Sequence, residues 1–183
     1  MKLVDRIINW VINRAKRTPY FHLDGYMERY WLIKPNPNRW ILKDFSIRIH
    51  RILRSDDDDC FHDHPWASMS LILRGVYCEV MPKDENQDPA LDHVWQRWVL
   101  RKPLSIVFRG AKSRHRLVLP AYQDCWTMFV MFRRVNKWGF YTRDGFVPYK
   151  QYLGISGGDP IPPAGTTVKA RPSKKDSAND KLY

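Results

Sequence analysis

Residues 60–75 read CFHDHPWASMSLILRG, and the centre of the stretch is His62-Asp63-His64. In an extended strand, side chains at i and i+2 share a face, so His62 and His64 project together and Asp63 projects the other way. Two imidazoles side by side on a stiff strand are half of a metal site. Pro65 has no N–H to give a ladder and marks a turn. A third histidine, His115, lies further on in FRGAKSRHRLVL, just before another apolar run.

Working outward, short strand-like segments flank this stretch on both sides. Ile41–Leu53 alternates Phe45, Ile47 and Ile49 against Ser46, Arg48 and His50, the pattern of a half-buried strand. His50 is on the polar side and reads as a surface or edge histidine. Ser68–Arg74 leads to a turn at Gly75 and on to Val76–Met81. His93–Arg101, Pro103–Phe108, His115–Leu119, Cys125–Arg133 and Lys137–Thr142 follow. About eight to ten short strands with few helices predict an all-β jelly roll or barrel. The aspartates 56–59 lack the glycine and closing glutamate of an EF-hand loop and read as a solvated loop.

Residues 2–17 are predicted to be an amphipathic helix. Leu3, Val4, Ile7, Ile8, Val11 and Ile12 make one stripe of a 3.6-residue period. Arg14, Lys16 and Arg17 fall in the last turn, where cations suit the helix dipole, and Thr18-Pro19 ends it. The stripe is short, so docking on the chain's own barrel is expected over an interfacial helix on lipid. Residues 1–40 therefore read as a helix and aromatic segment packed on a barrel of residues 41–153. From residue 154 onward Gly, Pro, Ser, Lys and Asp dominate, which predicts a flexible basic tail over 154–183.

The chain has 183 residues, enough for one domain with a real core. Its 31 Lys and Arg against 19 Asp and Glu give a net charge of +12. That excess suits an anionic partner, but the basic residues are spread out and no nucleic-acid-reading motif is present, so nucleic acid is not expected. Three cysteines, Cys60, Cys78 and Cys125, with no CxxC spacing fit free thiols in a reducing compartment. No run of about 18 apolar residues exists to span a membrane. The cytoplasm is the expected location.

The histidine pattern resembles the cupin superfamily, whose first motif places HxH ahead of a glutamate and a closing glycine. His62 and His64 match the HxH and Gly75 the glycine, while Ser68 stands in the glutamate's place by count. Arg109-Gly110 through His115 loosely resembles the second motif, with a longer spacer and no proline. The segments YMERYWLI, HRILRSDDDD, FHDHPW, HRLVL, CWTMFVMF and WGFYTRDGFVPYKQYL are similar to a group of small cupin-like proteins of bacteria and their phages. The resemblance implies a cupin-type double-stranded β-helix with the amphipathic helix at its N-terminus.

It further implies that His62, His64 and His115 hold a divalent transition metal, Fe(II) first, with Zn or Ni as alternatives. Three neutral imidazoles leave the metal's full charge in the pocket, which favours a small anionic substrate. Among cupins, a three-histidine site resembles the thiol dioxygenases. Arg116, beside His115, and Arg74, on the Ser68 face by strict alternation, are candidates to hold the substrate's anionic end. Tyr77 and Glu79 are candidate acid/base groups. Two classes of function stay open: a metal-dependent dioxygenase-type oxidoreductase, and a non-catalytic sugar- or nucleotide-binding module. Pairing of edge strands into a homodimer also stays open.

Overall fold

The structure is a computed structural model, and it describes residues 2–40, 43–56, 60–152 and 163–168. It begins with helix α1 (Leu3–Lys16), then β1 (His22–Leu23), β2 (Met27–Ile33) and β3 (Ser46–Ile52). Next come β4 (Phe61–His62), β5 (Trp66–Arg74), β6 (Tyr77–Pro82) and β7 (Gln96–Arg101). The chain continues through β8 (Ile106–Arg109), β9 (Arg116–Val118), β10 (Cys125–Arg134), β11 (Gly139–Thr142) and β12 (Gly145–Pro148). A short helix, α2 (Tyr149–Tyr152), and β13 (Thr167–Val168) complete it. The fold is mostly β with an N-terminal helix, as expected.

Among the described residues, seven strands form one sheet in the order β13-β1-β2-β3-β10-β5-β8. Two three-stranded sheets, β12-β11-β4 and β7-β6-β9, complete the strands. Glu79 of β6 bonds Arg109 of β8, and the His64 ring lies 6.0 Å from that of Phe129 of β10. The small sheets therefore face the large one, the layered arrangement of a jelly roll. Ile52, Ile72, Tyr77, Leu119 and Cys125 pack between the layers.

Helix α1 packs on the other face of the large sheet, over Ile49, Leu73 and Trp126. Its start is fixed where the Asp5 carboxylate accepts the Lys2 N–H at 3.2 Å. Its end is closed by Thr18, whose N–H and hydroxyl both donate to the Ala15 carbonyl. Ile8, Ile12 and Ala15 are buried against Ile49, Leu73 and Trp126. Each buried isoleucine contributes about 1.5–3 kcal/mol. Leu3, Val4 and Ile7 stay exposed, because the predicted stripe is wider than the line of contact.

With α1 packed on one face and the small sheets on the other, the middle of β3 is covered on both faces, while Ile106 and Phe108 of β8 stay exposed. This corrects the reading of His50: it lies on the inner face, stacked on Phe129 at 5.1 Å, and burial holds its pKa well below the usual histidine value. The polar side of β3 is the inside of the barrel. On the N-terminal side, β2 pairs with β3 from Met27 to Ile33 within one sheet. Thr167 and Val168, placed by the sequence in the tail, pair in parallel with His22 and Leu23. The rest of the expected tail, and Asp57 to Asp59 of the acidic run, lie outside the described residues.

The β5–β6 turn needs its glycine. Gly75 has φ +77°, and a Cβ there would meet the Asp124 carbonyl oxygen at 2.2 Å. No described helix is long and apolar enough to cross a membrane.

Candidate metal centre

The three predicted histidines converge. His62 ends β4 and pairs with His115 through two backbone hydrogen bonds of 3.0 Å. His64 follows two residues later, and its Nε2 lies 2.9 Å from Nε2 of His115. One ligand nitrogen from each of His62, His64 and His115 falls within 4.8 Å of the others. Asp63 turns the other way, as alternation predicted. It accepts hydrogen bonds from the Gly139 N–H, Tyr141 Oη and Asn136 Nδ2, which tie the HDH segment to β11.

What holds His115 comes from β6. Glu79 is fully buried and its Oε1 lies 3.0 Å from His115 Nδ1. Arg109 Nε donates to the same carboxylate at 2.5 Å, and Arg101 Nη2 reaches its other oxygen at 2.7 Å. Burial alone would raise the Glu79 pKa. The His115 hydrogen bond and the charge of Arg109 outweigh it and hold the group well below the usual carboxylate range. An ionised carboxylate only accepts, so His115 donates its Nδ1–H and presents the bare Nε2 to His64. Burial and then the charge of Arg109 pull the His115 pKa down to about 4. Burial and then His115 itself lower that of His64 well below its usual value. Both imidazoles are therefore neutral near pH 7, the state that ligates metal.

These residues fit a divalent metal ion. Two nitrogens 2.9 Å apart match two metal–nitrogen bonds of about 2.1 Å meeting near a right angle. A histidine ligand whose far nitrogen is bound by a buried carboxylate is the usual second layer of a metal site. A cavity of about 90 Å³, lined in part by Glu79, Arg101, Arg109, Arg114 and His115, opens beside the cluster.

The other predicted site residues fall in different places. Tyr77 is buried and its hydroxyl accepts from Arg109 Nη2 at 3.2 Å, so it belongs with Glu79 in the layer behind His115. Arg116 lies on β9 with its guanidinium 5.4 Å from the Trp98 ring centre. Arg74 corrects the strict-alternation reading. The β5–β10 register shifts between Ile72 and Arg74, and this bulge turns Arg74 to the helix side, where Nη2 donates to Asn9 at 2.7 Å. Arg109 was missed by sequence reasoning. Its signal was alternation on β8, which sets it on one face with buried Val107, opposite Ser68 in register. Cys125 is buried, and burial pushes its thiol up to about 12.

No protein-family model matches the sequence, and no curated protein matches it. Among solved structures, the chain is similar to hydroxypropylphosphonic acid epoxidase from S. wedmorenis, at 13% identity over 64% of this chain and 56% of that one, with a TM-score of 0.48. It is similar to Lactobacillus farciminis oxalate decarboxylase in a formate complex, at 10% identity over 76% and 35% of the two chains, with a TM-score of 0.49. A cupin superfamily protein from Desulfitobacterium hafniense matches at 9% identity over 60% and 79%, with a TM-score of 0.40. The chain thus spans 56% of the epoxidase and 35% of the decarboxylase.

Proposed function

We propose that the chain is a cupin-type metalloprotein, a three-histidine non-haem iron oxidoreductase of the dioxygenase type acting on a small anionic substrate. The observation that carries this reading is the convergence of His62, His64 and His115, with His115 backed by the buried Glu79. Iron bound there would supply O₂ activation and Lewis-acid polarisation of the substrate. The chain's own residues do the rest. Glu79 fixes the tautomer and the ring plane of His115. Burial keeps His64 neutral. The His115 hydrogen bond and the charge of Arg109 hold Glu79 ionised, and Tyr77 caps Arg109. Glu79 and Tyr77 act in this reading as positioning residues, since Glu79 is already bonded by His115, Arg109 and Arg101 and the Tyr77 hydroxyl by Arg109. Zn or Ni would fit the same nitrogens, and either would favour Lewis-acid chemistry over O₂ activation.

Oxygen uptake by the iron-loaded chain, measured with a panel of small carboxylates, phosphonates and thiols, tests the proposal. Substrate-dependent uptake that disappears in His115→Ala is expected. Ligand binding without uptake for any member of the panel would replace the oxidoreductase with a non-catalytic binding module.

A further inference from the structure

The inner face of the large sheet carries a second group of polar residues, on β2 and β3. Arg29 and His50 are register partners, as are Trp31 and Arg48. On the other side of β3, Arg48 is opposite Phe129, the residue whose ring lies 6.0 Å from His64. The two guanidiniums are interleaved with rings. Arg48 lies 4.3 Å from the Trp31 centre and 4.5 Å from that of Tyr20. Arg29 lies 5.1 Å from Tyr20 and 4.0 Å from Phe21.

Stacking covers the faces of a guanidinium and leaves its in-plane N–H donors unused. Here one such donor of each guanidinium is buried without an acceptor among the described residues. Arg29 Nε donates to the Phe21 carbonyl at 3.1 Å, but its Nη2 is buried with no hydrogen-bond partner. Arg48 Nε and His50 Nε2 are likewise buried without a partner among the described residues. Neither arginine has a carboxylate partner among those residues: Glu28 and Asp124 pair with Arg51, and Glu79 pairs with Arg101 and Arg109. Burial, and for Arg29 then the charge of Arg48, pulls both down to about 10, so both remain charged near neutral pH. Two adjacent cations, covered by rings and with donors left over in their own planes, make an incomplete arrangement.

We infer that Arg29 and Arg48 form a seat for the carboxylate or phosphate of a small oxoanion, with His50 beside it and the Phe129 ring touching both His50 and the metal-centre His64. The anion lies edge-on to the guanidiniums and accepts from their in-plane donors, the geometry in which arginine binds carboxylate and phosphate. The proposed metal reading supplies the role of that anion as substrate; the seat itself stands on the arginines.

The test is thermal unfolding of the full, chelator-treated chain titrated with inorganic phosphate and, separately, with oxalate, at constant ionic strength in chloride. A saturable rise in Tm is expected for wild type with at least one anion. Arg48→Lys, which keeps the charge and loses the planar donors, and Arg29→Gln are each expected to weaken that binding tenfold or more. His115→Ala is expected to keep it. A rise kept in His115→Ala and lost in Arg48→Lys supports the seat whether or not metal binds. No saturable rise in wild type with either anion, or equal rises in wild type, Arg48→Lys and Arg29→Gln, overturns it. So does a rise lost in His115→Ala and kept in Arg48→Lys, which would leave the anion to the histidines.

Discussion

Replacing Glu79 with glutamine keeps the shape of the side chain and removes its charge. Arg109 would then be a buried cation with no counter-charge, and His115 would lose the acceptor that fixes its tautomer. We expect Glu79→Gln to cost about 3–5 kcal/mol of stability, read from denaturant midpoints. We also expect it to weaken metal affinity by about 10- to 100-fold, read by metal titration. Unchanged metal affinity in a folded Glu79→Gln protein would show that the carboxylate does not support the site. The histidines themselves were legible in the sequence, because two of them sit two residues apart where the period of a strand is informative. The support was not. Glu79 reaches His115 across 36 residues and Arg109 across 30, and no local pattern encodes a contact between β6, β8 and the segment before β9. Arg29, Arg48 and His50 were hidden for a different reason. On a half-buried strand the polar face is assigned to water, and here both faces are covered.

At the level of elements, α1 separates two neighbouring isoleucines. Ile8 is 9% exposed and packs on Ile49 and Trp126, while Ile7 is 53% exposed. Ile8→Asp places an unpaired charge in an apolar contact and is expected to cost about 3 kcal/mol. Ile7→Asp is expected to stay within about 0.5 kcal/mol. Chemical denaturation of the two variants side by side checks this, and equal effects would contradict the docked geometry of the helix. The periodicity of α1 was readable, but which third of its stripe is buried depends on where β2, β3 and β10 lie beneath it. In the same way, the bulge before Arg74 left no mark in the sequence.

Over the whole molecule, the buried histidines give stability a defined dependence on pH. His50, His64 and His115 all have pKa values lowered in the folded chain, chiefly by burial. Unfolded, they take up protons near pH 6.5. The unfolded state therefore binds more protons below that pH, and stability is full above it and is lost as pH falls. Between pH 7.5 and 5.5 each such histidine should remove about 1.4 kcal/mol from the metal-free chain. Denaturant midpoints of chelator-treated protein across that range give the answer; a midpoint that is flat or rises on acidification would contradict the buried, neutral state of these rings. The central claim is that His62, His64 and His115 together hold one divalent metal ion. Elemental analysis of the untagged full chain, purified as such and after reconstitution in excess metal, tests it most directly, beside His62→Ala, His64→Ala and His115→Ala. The expected result is close to one transition-metal ion per wild-type chain and stoichiometric binding lost in each folded variant; a wild type that takes up none even in excess would contradict it.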